Sequence, residues 1–164
     1  MKELRNLYLQ ITYIVFLSTS VSIVFNQLRS NPLAYVKQKV EVISNLENLQ
    51  TESSEPTITG IDIKIAKELF DKNVLFIDAR AEEFYNDGHI PNAICSDDFD
   101  SLVEQLEKKI EIDEQFVVYC SDSDCGSSED LSYEFQSIGF SNILLFKGGW
   151  QEWVDADYPQ VQNE

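Results

Sequence analysis

The chain is short of cysteine, histidine and positive charge, and each shortage removes a class of function. Its 164 residues hold three cysteines, Cys95, Cys120 and Cys125, and one histidine, His89. A small, odd number of cysteines is not a disulfide scaffold. A Cys-x4-Cys pair and one distant histidine also fall short of the ligand set of a structural zinc site, so no metal is expected. Lysine and arginine number 12 against 29 aspartates and glutamates, a formal net charge of −17. The shortage is uneven. Residues 1–57 carry five of each sign, whereas residues 58–164 carry seven Lys/Arg against twenty-four Asp/Glu. So acidic a domain repels phosphates and anionic lipid heads, and nucleic acid is not an expected partner. No internal repeat is visible. With 43% apolar and 25% charged residues, the chain has the composition of one packed domain with a tail.

The apolar residues are also unevenly placed. Residues 7–25, LYLQITYIVFLSTSVSIVF, contain no charge and have about the length that crosses a bilayer as a helix. Residues 1–26 are therefore read as a membrane anchor. Gln10 and several Ser/Thr dilute this signal without removing it, because hydroxyls bond back to the helix backbone. No small-x-small site follows directly, which favours an uncleaved anchor over a cleaved signal. Lys2 and Arg5 precede the stretch and Arg29, Lys37 and Lys39 follow it, so flanking charge does not set the orientation. A short leader before the bulk of the chain suggests an exported, periplasmic or extracytoplasmic domain, with the cytoplasmic side as the alternative. Residues 27–57 read as a linker, with a short helix over 34–49 and a flexible QTESSEP segment at 50–56. Residues 161–164 read as a tail.

Residues 58–160 alternate helical and strand patterns. Helical spacing runs over 61–70, with Ile61, Ile65, Ala66, Leu69 and Phe70 on one face. Residues 74–77, VLFI, form a wholly apolar strand ending at Asp78. A helix over 99–110 is followed by a strand over 116–119, FVVY. A helix over 130–138 stops at Gly139, which suits a left-handed cap. A strand over 143–146 and a short helix over 150–156 complete the series. The expected fold class is α/β, a mostly parallel central sheet flanked by helices on both faces, plus the N-terminal hydrophobic helix. In such sheets ligands bind beyond the carboxyl ends of the strands, where Asp78 and Cys120 both lie.

Cys120 is the candidate nucleophile. A hydrophobic strand delivers it to a polar loop of Ser121, Asp122, Ser123, Asp124, Cys125, Gly126 and Ser127, after which a helix starts. Such a turn can aim successive amides, and the positive end of a helix dipole, at one sulfur. That setting favours a thiolate or a cysteine persulfide. The alternative is a buried structural cysteine at a strand end.

The motifs then form a series. Ile77-Asp-Ala-Arg80, Glu83-Phe84, Gly88-His-Ile-Pro91-Asn-Ala93, Val117-Val-Tyr-Cys120, Gly139-Phe-x-Asn142-Ile and Gly148-Gly-Trp150-x-x-Trp153 resemble, in order, the pattern of the rhodanese family. The anchor, and the Cys-Ser-x-x-x-Cys loop, resemble a bacterial membrane-attached subgroup of it. The resemblance implies a sulfurtransferase that needs no cofactor. Cys120 takes a sulfane sulfur from a small sulfur-containing donor and passes it to a thiol or another thiophilic acceptor. A partner protein is a further candidate acceptor of sulfur or electrons. Covalent catalysis splits one hard transfer into two easier ones.

Two departures narrow that expectation. Loops of the family that process thiosulfate commonly carry Arg or Lys; this one carries Asp122 and Asp124. Paired carboxylates raise a neighbouring thiol pKa and repel a dianionic donor, so thiosulfate is not the expected substrate. The related cell-cycle phosphatases hold phosphate with a loop arginine, and its absence argues against phosphatase activity. The second departure is Cys125, a candidate resolving thiol able to form a disulfide with Cys120. A thiol–disulfide or redox-sensing module is therefore the alternative function, and a non-catalytic interaction domain of the same fold is a third. Asp78, Arg80, Glu83 and His89 are expected to support the site structurally. Arg80 would pair with Glu83 or Asp78, and His89 would stabilise a turn. Cys95 is expected to be buried, and Trp150 and Trp153 to be core or pocket wall.

Overall fold

A computed structural model of the chain describes residues 2–28, 42–43 and 57–162. The chain divides into two units, Met1–Lys39 and Val40–Glu164. In the first, helix α1 covers Lys2–Gln27. Within it, Arg5–Gln27 has a mean hydropathy of 1.7 over its most apolar window, and is long and apolar enough to cross a membrane. The hydroxyls of Thr12, Ser18, Thr19 and Ser20 donate to carbonyls three or four residues earlier. They are thereby satisfied inside the helix, as a hydroxyl in lipid must be.

The second unit is an α/β domain. Strands β1 (Val42–Ile43), β2 (Thr57–Ile61), β3 (Leu75–Asp78), β4 (Phe116–Tyr119) and β5 (Asn142–Phe146) form one sheet in the order β1-β2-β5-β4-β3. All its pairings are parallel. Helices α2 (Ile63–Asp71), α3 (Glu82–Asp87), α4 (Phe99–Glu107), α5 (Ser127–Ser137) and α6 (Gly149–Asp155) connect or follow the strands. The two-residue period of the strands sorts the core into two layers. Phe76, Val117, Tyr119, Leu144 and Phe146 pack with Ile65 and Leu69 of α2 and Trp153 of α6. Ile77, Phe116, Val118 and Ile143 pack with Leu102 and Leu106 of α4 and Phe135 of α5. The three apolar strand runs are apolar because both faces of the sheet are covered.

Several boundaries differ from expectation, each for a local reason. Ile61 fits the helical spacing but ends β2. The carboxylate of Asp62 accepts from Lys64 N and Ile65 N, both at 3.0 Å, and so starts α2 at Ile63. This is ordinary N-capping by aspartate. The helix expected over 34–49 meets a strand at Val42–Ile43, which pairs with Gly60 and Ile61. The rest of that segment, and the QTESSEP stretch, lie outside the described residues. Helix α3 buries no side chain fully and packs only Tyr85 against the core, so no apolar period announced it. Helix α5 begins at Ser127, three residues before the expected start, and α4 ends at Glu107. Gly139 is at φ +111°. Phe140 N donates to Phe135 O and Gly139 N to Gln136 O, both at 3.2 Å, closing α5 with the expected left-handed cap. Val161, placed in the tail by sequence, exchanges backbone hydrogen bonds of 3.0 and 2.9 Å with His89. Residues 163–164 lie outside the described residues.

Candidate active site

Parallel pairing brings the C-terminal ends of β3, β4 and β5 to one edge. Asp78 lies opposite Tyr119, and Tyr119 opposite Phe146. One residue further on, Cys120 leaves the sheet with 2% of its surface exposed. It forms a disulfide with Cys125, their Cα atoms 6.2 Å apart, within the ordinary span of such a bond. Between them Asp122, Ser123 and Asp124 are exposed and Ser121 is partly so.

Asp122 organises this loop. Its carboxylate accepts Asp124 N at 2.9 Å, and its carbonyl accepts Cys125 N at 3.3 Å. Two of the amides that sequence aimed at the sulfur therefore serve the loop itself. The first turn of α6 holds the loop from the other side. Trp150 N donates to Cys120 O and Gln151 N to Ser121 O, both at 2.8 Å. This approach explains Gly149. Its φ is +63°, and a Cβ there would stand 2.5 Å from the Cys120 carbonyl oxygen. The backbone conformation and the close contact each require glycine. Sequence treated the Gly-Gly pair only as a helix start. Its role in seating the cysteine loop needed the fold.

The loop has no cation of its own. Lys147, just after β5, forms a salt bridge with Glu129 in the first turn of α5. Gly126 precedes that helix with no side chain capping its amides.

Beside the loop lies a buried polar network. Asp78 and Arg80 pair at 2.6 Å, their side chains 0% and 6% exposed. Arg80 also donates to Gly88 O at 2.7 Å. The Tyr119 hydroxyl donates to Asp78 at 2.7 Å and accepts Ile90 N at 3.3 Å. Burial opposes the charge on Arg80, but the hydrogen bonds and charge of Asp78 outweigh it, and its pKa ends above the ordinary value. Burial, then the adjacent Asp78 charge, hold the Tyr119 phenol well above its ordinary range. Of the two partners offered to Arg80, the structure selects Asp78; Glu83 lies exposed on α3. The guanidinium also lies over the Trp150 ring, 5.0 Å from its centroid. It thus touches the residue whose amide holds Cys120. In the sequence Tyr119 reads as one more apolar strand residue, and only its partners reveal the hydroxyl's role.

His89 is turned to structure. Its Nδ1 is 2.9 Å from Tyr85 O, its ring stacks on Tyr85, and its backbone bridges to Val161. Cys95 is half-buried and its thiol donates to Arg80 O at 3.2 Å. Burial, followed by the charges of Asp78, Asp97 and Glu82, pushes it up to about 12. Trp153 is wholly buried, and Trp150 partly so. Among the described residues no group of three or more His, Cys, Asp or Glu is placed to hold a metal.

A parallel sheet with a cysteine loop at its carboxyl edge recurs in known proteins. The family profile of the rhodanese-like domain matches residues 62–156. A Buchnera aphidicola protein with no functional name is 31% identical over 97 residues, covering 56% of this chain. The chain spans 63% of that relative's length. The solution structure of a rhodanese-like domain from Anabaena sp. is 25% identical, covers 62% of this chain and 76% of its own, and superposes with a TM-score of 0.50. The thiosulfate sulfurtransferase of Pseudomonas aeruginosa, at 17% identity, shares the fold with a TM-score of 0.54 over 72% of this chain and 22% of its own. With its motifs in order and the profile spanning more than half its length, this chain belongs to the rhodanese-like domain family, a family of sulfurtransferase type.

Proposed function

We propose that the domain carries sulfane sulfur as a persulfide on Cys120 and passes it to a thiophilic acceptor. The observation that carries this reading is the seat of Cys120. It stands at the carboxyl end of a central strand, in a loop whose carbonyls are held by the amides of α6. In the loading step the Cys120 thiolate attacks the outer sulfur of a donor R–S–SH. The S–S bond of the donor breaks, RS⁻ leaves, and Cys120 carries –S–SH. Asp122 and Asp124 stand exposed in the same loop, and Lys147 is paired with Glu129, so a dianion such as thiosulfate meets net repulsion. Persulfides whose reacting end carries at most one negative charge fit the loop better. No metal or organic cofactor enters this chemistry.

The Cys120–Cys125 disulfide favours a second reading, a thiol–disulfide module with a protein dithiol as its partner. The two readings are compatible if the disulfide is one state of the working site. Helix α1 anchors the domain to a membrane, and the disulfide suits an oxidising, extracytoplasmic side.

The test uses the full chain in detergent, reduced and then exposed separately to glutathione persulfide, polysulfide and thiosulfate. Intact-mass and peptide spectra of the Cys125→Ser chain, in which the loop disulfide cannot form, should show one added sulfur on Cys120 with glutathione persulfide and less with the dianionic polysulfide and thiosulfate. Cys120→Ser should remain unmodified at that position. Absence of any adduct with all three donors would refute the proposal. For topology, a membrane-impermeant thiol reagent should label reduced Cys125 from the outside of intact cells; labelling only after lysis would reverse the orientation.

A further inference from the structure

From the pairing of the two loop cysteines we infer that Cys125 is the built-in acceptor. It resolves the Cys120 persulfide, so the sulfur leaves as hydrosulfide and the observed disulfide is the product of turnover. This inference rests on the Cys120 persulfide proposed above.

Three features of the loop point this way. First, the disulfide closes a ring of only four intervening residues. Cross-linking stabilises less the shorter the loop it closes, and this loop is already tied by Asp122 and by two amides of α6. As a staple it does less than a long-range disulfide would. Second, the two sulfurs differ in access. Cys120 is buried to 2% exposure, whereas Cys125 is partly exposed. The inner position suits the sulfur that is loaded, and the outer one suits a thiol that must later meet a reductant. Third, Asp122 and Asp124 oppose small anionic acceptors such as cyanide or sulfite. A thiol held in the same loop acts at a high effective concentration and needs no such approach.

The step balances. The Cys125 thiolate attacks Sγ of Cys120, the bond from that sulfur to the outer sulfur breaks, and the outer sulfur leaves as HS⁻ with its proton. Two cysteine sulfurs are oxidised to the disulfide and the sulfane sulfur is reduced to sulfide. The cycle is then reset by a dithiol, a small molecule or a protein of the Cys-x-x-Cys class. One of its thiolates attacks the accessible Cys125 sulfur and expels the Cys120 thiolate. Its second thiol then attacks the mixed disulfide, frees Cys125 and leaves as the oxidised dithiol.

The experiment takes the reduced full chain in detergent, freed of reductant, and adds glutathione persulfide in slight excess. Sulfide and the mass of the chain are followed with time against a protein-free control. The wild type should release about one hydrosulfide per chain and gain the 120–125 disulfide. Cys125→Ser and Cys125→Ala should instead keep the added sulfur on Cys120, their release slowed about tenfold or more. Adding dithiothreitol should discharge them and restart the wild type. If wild type and both variants hold the persulfide equally, or release sulfide equally fast, Cys125 is not the resolving thiol and the inference falls alone. If the variants, folded by circular dichroism, never load sulfur on Cys120, the persulfide reading itself fails and takes this inference with it.

Discussion

The ends of β3 and β4 lie side by side, and they are built for opposite purposes. At the end of β3, Asp78 is fully buried, and its carboxylate bonds to Arg80 and to Tyr119. Every polar group there has a partner, and the charges are balanced. At the end of β4, one residue beyond Tyr119, the chain turns into a loop whose carboxylates face water and whose cation is lacking. There the backbone carbonyls are held by α6, while the side chains of Asp122, Ser123 and Asp124 stay exposed. The lesson is a division of labour. A satisfied, buried network is placed next to an exposed loop, and it braces the strand end from which the proposed nucleophile leaves the sheet. Arg80 joins the two, since it holds Asp78 and lies over Trp150.

Substitutions can break this contrast, and the largest effect should come from the network. Asp78→Ala leaves the Arg80 charge buried without its partner and should destabilise the domain by about 3–5 kcal/mol. Urea unfolding of the full chain in detergent measures it; a loss under 1 kcal/mol would mean that the pair is not the brace described. Gly149→Ala comes next, because the left-handed backbone alone costs about 1–3 kcal/mol and the new methyl meets the Cys120 carbonyl. Here the expected signature is a combined loss, with a lower unfolding midpoint and slower sulfur loading on Cys120.

Tyr119→Phe removes the hydroxyl between Asp78 and Ile90 N. It should destabilise by about 1–3 kcal/mol while leaving sulfur loading nearly intact. Equal loss of both properties would blur the line between the two regions. In the loop the pattern should invert. Asp122→Asn with Asp124→Asn should change stability by less than about 0.5 kcal/mol, since an asparagine at 122 can still accept Asp124 N. Removing two negative charges favours the thiolate, so alkylation of reduced Cys120 should set in at lower pH than in the wild type, and loading from thiosulfate should rise. An unchanged pH profile would show that the carboxylates do not govern the thiol. The smallest effect belongs to Cys95. With its pKa near 12, it is a thiol, not a thiolate, at pH 8, and iodoacetamide should spare it while modifying the two reduced loop cysteines.

Much of this was legible in the chain and some was not, for definite reasons. The three central strands were visible as short apolar runs because the sheet is covered on both faces. Cys120 could be placed at a strand end for the same reason. Elements that bury little left no such trace. Helix α3 lays only Tyr85 against the core, and β2 hid behind Ile61, whose side chain fits the helical spacing as well as the strand. Asp62 carried the missing signal as a helix cap. Arg80 had two acidic candidates within reach along the sequence, and nothing in their spacing chose between them.

The sequence by itself determined that the domain is an acidic α/β unit with a cysteine at a strand end, an apolar N-terminal helix and no cation in the cysteine loop. These follow from composition, strand runs and the order of motifs, all properties of neighbouring residues. Only the tertiary structure decided that Cys125 reaches Cys120, that Asp78 rather than Glu83 holds Arg80, and that Gly149 seats the cysteine loop. Each of these joins residues through the sheet, a helix packed across it or the closure of a loop. Such distances are set by packing and backbone geometry, which residue spacing alone does not specify.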